Sequence, residues 1–386
     1  MTLSTQFTQH FSILLDPRKD THNKRHKLMD ILILTILAVI CGADDWVNVE
    51  FFGKSKEEWL RTFLELPHGI PSHDTIGDLF SRLNSQQLQE CFLSWIYDLV
   101  EITEGEIISI DGKTLRGSHD KRRGKAAIHM VSAWANKNRV VLGQRKIDDK
   151  SNEITAIPKL LKMLDVEGCV VTIDAMGCQR KIAEQIYNQG GDYVLAVKTN
   201  QGKLETAIAE LFETAESRAF DAMVYSKDET LEKDHGRIEK RRYFALPMMY
   251  LHRFKLRWKG FQSVAMVEST REVMGEKSTM EKRYYVSSLP ADAKQLGEAI
   301  RQHWGVENSL HWSLDVSFRE DECRVRTGNA AENFSVLRHI ALNLLRQETS
   351  KKVGIKTKRN VAGWDHAYLA KVLAGNSTQT QEIQEV

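Results

Sequence analysis

The chain has 386 residues, and its 54 Lys and Arg against 52 Asp and Glu leave a formal charge of +2, which as an average argues against a nucleic-acid partner. With 42% hydrophobic and 27% charged residues it has the composition of a globular protein, long enough for two or three domains; disorder, collagen-like repeats and low complexity are excluded. The longest apolar run, residues 31–41, falls short of the about 20 residues a membrane span needs and lies too far in for a signal peptide, so it reads as a buried helix and no membrane partner is expected. Five cysteines, an odd number with no CxxC pair, suggest neither a disulfide framework nor a zinc finger and point to a reducing, cytoplasmic setting.

The first hundred residues read as helical. LMDILILTILAVICG is apolar nearly all round, SKEEWLRTFLEL has Trp59, Phe63 and Leu64 at helical spacing, and DTIGDLFSRLN and SQQLQECFLSWIYDLV follow a turn and N-cap signal at residues 71–74. The pattern changes at residue 106. EIISID, AAIHMVSAWA and RVVLGQRKI read as three hairpin-linked strands, then come a helix (ITAIPKLLKMLD), a strand (CVVTID), a helix (QRKIAEQIYNQG) and a strand (DYVLAVK). This is the order of a ribonuclease-H-like α/β fold, with parallel pairing of the later strands and helices covering the sheet.

After residue 200 a polar helix leads to candidate strands at AMVYSK, IEKRRYFAL, QSVAMVEST and KRYYVSSL, and helices return at DAKQLGEAIRQHWGVENSLHWSLDVSF and AAENFSVLRHIALNLLRQ. The domain reading is therefore a helical accessory domain over 1–100, an α/β catalytic domain over 101–350 with a β-rich insertion at about 200–289, and a C-terminal helix and polar tail over 351–386.

The near-neutral charge is an average over blocks. Residues 112–146 carry +9, 233–259 carry +7 and 346–359 carry +5, which leaves −19 for the rest. Three such concentrations can neutralise phosphates, although any one of them alone reads more simply as a solvated face.

Two strands end in an aspartate: IISID at Asp111 and VVTID at Asp174. In the strand order above these strands are neighbours, so both carboxylates emerge side by side. Like charges that close raise one another's pKa, and a divalent cation relieves the cost; oxygen-only ligation by carboxylates is what Mg²⁺ or Mn²⁺ accepts. A single strand-ending Asp would equally cap a turn, so the argument rests on the pair. The third carboxylate is Glu307, on a helix where His303, Glu307, His311 and Asp315 follow at i, i+4, i+8 and i+12 and share one stripe.

IDGKTLRGS around Asp111, IDAMGCQ around Asp174 and HWGVENSLHWSLDVSFREDECRVRTGNAAENFSVLRHIALNLL around Glu307 resemble the three signature regions of the DDE transposases of bacterial insertion sequences, and more narrowly the H-repeat-associated transposases linked to Rhs elements. PSHDTIGDLFSRLN is similar to that group's accessory domain, and the resemblance covers nearly the whole chain. It implies a ribonuclease-H-like core with Asp111, Asp174 and Glu307 as catalytic, metal-holding triad, two Mg²⁺ or Mn²⁺ ions, and DNA, both transposon ends and target, as partner. Many relatives carry a Tyr-Arg-Glu-Lys pattern around the Glu; here the matching positions are Ile300, His303, Glu307 and Leu314, so the phosphate-clamping roles of that Arg and Lys do not carry over. Arg301, His303 and His311 are the substitutes.

In two-metal phosphoryl transfer Asp111 would bridge both ions, with Asp174 and Glu307 each completing one, first for hydrolysis at the element end and then for attack of the freed 3′-hydroxyl on target DNA. Lys113, Arg116, Arg122 and Arg123 beyond the first Asp would hold phosphates, and Arg241 and Arg242, among aromatics in the insertion, would hold distorted or unpaired DNA. A reaction on two ends implies a homodimer on DNA, in a bacterial, nucleoid-associated, cytoplasmic setting. A domesticated or inactive transposase-derived nuclease or DNA-binding protein is the alternative.

Overall fold

A computed structural model describes residues 5–20, 24–120, 126–148, 151–221, 223–234, 237–273 and 278–375. Its first strand begins at residue 107; before it come only helices: α1 (Thr5–Phe11), α2 (Leu28–Ile40), α3 (Trp46–Ser55), α4 (Glu57–Leu60), α5 (His73–Arg82) and α6 (Ser85–Leu99). The all-round apolar α2 is buried along its length, as its composition requires. Ser72 and Asn84 cap α5 and α6 by accepting from the Thr75 and Gln87 N–H groups. The helix expected over 55–66 shrinks to the four residues of α4. Beyond it the chain turns so that Leu66, at φ 40°, donates its N–H to buried Asp30 at 2.9 Å, a bond a continued helix would forbid. No helix among the described residues is long and apolar enough to cross a membrane.

Strands β1 (Ile107–Leu115), β2 (Ile128–Ala135) and β3 (Val140–Lys146) are followed by α7 (Glu153–Leu161), β4 (Val170–Ile173), α8 (Arg180–Asn188) and β5 (Asp192–Val197). Helix α9 (Gly202–Ser217) then leads to β6 (Ser226–Asp234), β7 (Arg237–Pro247), β8 (Ser263–Val273) and β9 (Thr279–Ser287). All nine strands form one mixed sheet in the order β3-β2-β1-β4-β5-β9-β8-β7-β6. β1, β4 and β5 run parallel, as expected for strands joined through helices, while β2, β3 and the last four are antiparallel.

Two readings of the strands change. β1 does not stop at Asp111 but continues along β2 to Leu115, whereas its pairing with β4 ends at Ile110 and Ile173. The strand expected over 222–227 is β6, running from Ser226 to Asp234; its sequence SKDETLEKD has no buried alternation because β6 is the outer edge, where charge discourages further pairing. The β-rich segment also extends the central sheet through β9 on β5.

The closing helices are α10 (Ala293–Gly305), α11 (Trp312–Phe318), α12 (Ala330–Gln347), α13 (Ile355–Trp364) and α14 (His366–Ala374). Between α10 and α11, residues Val306–His311 form a π-helical turn, a wider coil often found where a site is built. Helix α12 is buried along nearly all its length, contacting β3 and also α2, α5 and α6, and the apolar core runs unbroken from the first helices into the sheet.

Candidate active site

The register of β1 and β4 sets the site. Ile110 pairs with Ile173, so Asp111 and Asp174 stand one residue beyond on adjacent parallel strands, with backbones about 5 Å apart by ordinary strand spacing. Asp174 Oδ1 accepts the N–H groups of Met176 at 3.1 Å and Gly177 at 3.2 Å, so one oxygen holds the loop leading into α8. Thus Asp174 caps a turn and also faces a cavity of about 450 Å³ that Glu307, Lys198, His303 and Trp304 line with it. Glu307 is exposed on the π turn.

Burial foremost, and then the charges of Asp174, Glu307 and Glu153, push the Asp111 carboxyl up to about 7 against the lowering effect of the Gly112 N–H. Asp174 is likewise raised, by burial first and by Glu153 among its neighbours, with Lys198 opposing. Glu153 is a fourth acid that sequence reading missed. It opens α7, lies against Gly112, where a Cβ would sit 2.1 Å from its Oε1, and bonds His129 Nε2 at 2.7 Å. His129 in turn meets Thr114 Oγ1 at 2.7 Å through Nδ1, across a registered β1–β2 pair. The one sequence signal was the glycine after Asp111, which a close approach to the strand requires.

The polar stripe on the third-carboxylate helix does run along β1 and β4. His303 Nδ1 meets Thr172 Oγ1 on β4 at 3.0 Å, and His311 Nδ1 is 3.6 Å from Asp111 Oδ2. Burial pushes both imidazoles down to about 4, so both are neutral near pH 7, and the His311 Nε2 is buried without a hydrogen-bond partner. These are interior groups that join the helix to the sheet.

The proposed phosphate ligands are placed differently from one another. Lys113, two residues past Asp111 on the same face of β1, is largely covered; its ammonium pairs with Asp315 on α11 and, at 2.9 Å, with Glu320. It is therefore an internal clamp rather than a solvated cation. Arg241 pairs with Glu239 at 2.6 Å and Glu232 at 3.0 Å, Arg301 holds Glu232 with two bonds at 2.9 and 3.0 Å, and Arg242 donates to Glu268 at 2.9 Å. Arg301 foremost holds the Glu232 carboxyl down at about 2. Only Arg116, exposed in a short 3₁₀ turn 3.4 Å from Asp321, retains the open setting expected of it among those described; Arg122 and Arg123 lie outside the described residues.

Among the described residues no three His, Cys, Asp or Glu side chains converge closely enough to hold a metal ion as they stand. The donor chemistry nonetheless suits one: carboxylate oxygens only, with Asp111 under repulsion that a hard divalent cation would relieve.

A family model described as "Transposase DDE domain" matches residues 102–344, and a second, "DDE_Tnp_1-associated", matches residues 8–96. The chain is 45% identical over 372 residues to "H repeat-associated putative transposase YhhI" of Escherichia coli (strain K12), covering 95% of this chain and 97% of that protein. It is 46% identical over 371 residues to "Putative transposase YncI" of Escherichia coli O157:H7, covering 95% and 94%. A short relative, "Inactive transposase YbfQ" of E. coli K12, is 43% identical over 74 residues, 19% of this chain and 87% of its own length. With family models over both segments and end-to-end relatives of this identity, the chain belongs to the DDE transposases, in the H repeat-associated group.

Proposed function

We propose that this protein cuts DNA strands at the ends of an insertion element and joins the freed 3′ ends to target DNA, using Asp111, Asp174 and Glu307 as its acidic triad on a ribonuclease-H-like core. The observation that carries the reading is the Asp111 carboxyl, buried beside Asp174 and under the charge of Glu307, raised to about 7. Burial first, and repulsion from the neighbouring acids after it, make an ionised carboxylate costly in a site with no use for it. The same three residues would hold divalent cations, Mg²⁺ or Mn²⁺ and two in number, which when bound supply acid strength to the attacking hydroxyl and neutralise the leaving oxygen. Asp174 is fixed for this by its turn bonds, and His311 lies 3.6 Å from Asp111 as a neutral neighbour. A homodimer on paired DNA ends, in the bacterial cytoplasm at the nucleoid, completes the proposal.

The test is metal-dependent nicking of a duplex that contains the element's end. Asp111→Asn is expected to lower strand cleavage by at least about 10³-fold while leaving duplex binding within about threefold, since the loss falls on the transition state alone. Cleavage by Asp111→Asn equal to that of the parent would refute the triad assignment.

A further inference from the structure

We propose that a second feature, the groove between α8 and the 3₁₀ segment Met248–Arg257 with its following turn, is a seat for the phosphate backbone of duplex DNA. This rests on the reading of the chain as a DNA-cutting transposase and adds where the flanking duplex lies. The groove, about 710 Å³, is lined by Arg180, Lys181, Lys255, Arg257 and Lys259, with Glu184 as its one carboxylate. All five cations are exposed, and none has an ion-pair partner among the described residues. Arg241, Arg242 and Arg301 differ: in each the charge is already matched by a carboxylate. Within the basic block at 233–259, Arg241 and Arg242 are matched internally, while Lys255, Arg257 and Lys259 line the groove without an ion-pair partner among the described residues.

The groove is built rather than incidental. Gly260, at φ +71°, lets the turn press on α8, where a Cβ would fall 2.2 Å from the Tyr187 ring. Tyr193 Oη donates to the Lys259 carbonyl at 2.9 Å, and Trp258 is buried beneath. The turn that carries Lys259 is therefore held against α8 before any ligand arrives. Arg180 opens α8 six positions beyond Asp174, so the groove begins on the element that follows the Asp174 loop. Nine residues of helix span roughly 13 Å, and that length of duplex carries about four phosphates per strand, on the scale of the five cations.

The experiment compares three full-length proteins on a mixed-sequence duplex of about 30 base pairs, with affinity measured against salt. They are the parent, a groove reversal (Lys181→Glu, Lys255→Glu, Arg257→Glu) and a control reversal of exposed lysines elsewhere (Lys19→Glu, Lys294→Glu, Lys371→Glu). Each lost phosphate contact removes about 0.9 from the slope of log affinity against log salt, so the groove reversal should lose about 2–3 and bind more than about tenfold more weakly, and the control less than about 1. An unchanged slope in the groove reversal, or an equal loss in the control, overturns the groove while the transposase reading stands. A parent that binds no duplex at any salt overturns both. Poly-glutamate retained by the parent and released by the groove reversal, with duplex affinity unchanged, would make the groove a seat for an acidic protein instead.

Discussion

Asp111 shows how function and stability oppose one another in a single side chain. Its carboxyl rises to about 7 in the folded protein, above the value of an unfolded chain, so folding favours its protonated form. The stability this group contributes is complete below about pH 4 and is lost as pH rises through about 7. Asp111→Asn keeps the shape and removes the charge. In chelator the variant is expected to match the parent near pH 4 and to exceed it by about 1–3 kcal/mol at pH 8, the full linkage value of about 1.4 kcal/mol per tenfold change in proton affinity being reduced by solvent at a partly exposed carboxyl. Denaturant titrations at the two pH values measure this, and added Mg²⁺ should narrow the gap by stabilising the parent alone. A gap of equal size at pH 4 and pH 8 would mean that charge is not its cause.

At the scale of elements, Lys113 ties the strand that carries Asp111 to α11, the helix that follows the π turn of Glu307. Its ammonium reaches Asp315 on α11 and Glu320 just beyond, and Glu320 also meets Arg338 at 3.5 Å and the Ser335 hydroxyl at 3.3 Å on α12. Burial alone would raise the Glu320 carboxyl; Lys113 and Arg338 overcome it and hold it down at about 2. Removing one member of such a buried pair strands the other, so Lys113→Met should cost about 3–5 kcal/mol at pH 7, and Lys113→Met with Glu320→Gln should cost less than the sum of the single changes by about 1–3 kcal/mol. Simple additivity in urea denaturation would rule out the clamp. This contact also marks what a sequence can reveal. Strands β1 to β5 and the neighbouring aspartates were legible, because buried runs and turn residues are local signals, and so was the stripe from His303 to Asp315. Lys113 and Asp315 are 202 residues apart, and nothing local separates a lysine under a helix from one in a solvated loop. The same reason hid Glu153, whose role depends on α7 lying across Gly112, and β6, whose charged sequence makes sense only at a sheet edge.

For the molecule as a whole, the basic blocks divide into cations that hold the fold and cations that face outward. In the third block, Arg346 donates to the Ser309 carbonyl at 2.7 Å, Lys358 to the Leu345 carbonyl at 2.9 Å and Arg359 to the Val39 carbonyl at 2.8 Å, all from buried or half-buried positions. The last of these joins α13 to α2, and Asn333 on α12 donates to the carbonyls of Phe80 at 2.8 Å and Leu83 at 3.0 Å. The first hundred residues thus share both polar ties and an apolar core with the C-terminal helices that close over β3. A fragment of residues 101–386 would expose Phe334, Leu337 and Ile340, at about 1.5–3 kcal/mol each, leave the Asn333 amide without its carbonyl partners and cost Arg359 its contacts with Val39 and Asp44, a combined loss comparable with a whole net stability of about 5–15 kcal/mol. The full chain is accordingly expected to unfold in urea as one transition followed alike by far-ultraviolet and aromatic circular dichroism, and the fragment to aggregate or to bind hydrophobic dye without aromatic signal. A soluble fragment with native aromatic dichroism would show instead that the helical segment is a separable unit, and that the shared core contributes little to the sheet that carries Asp111 and Asp174.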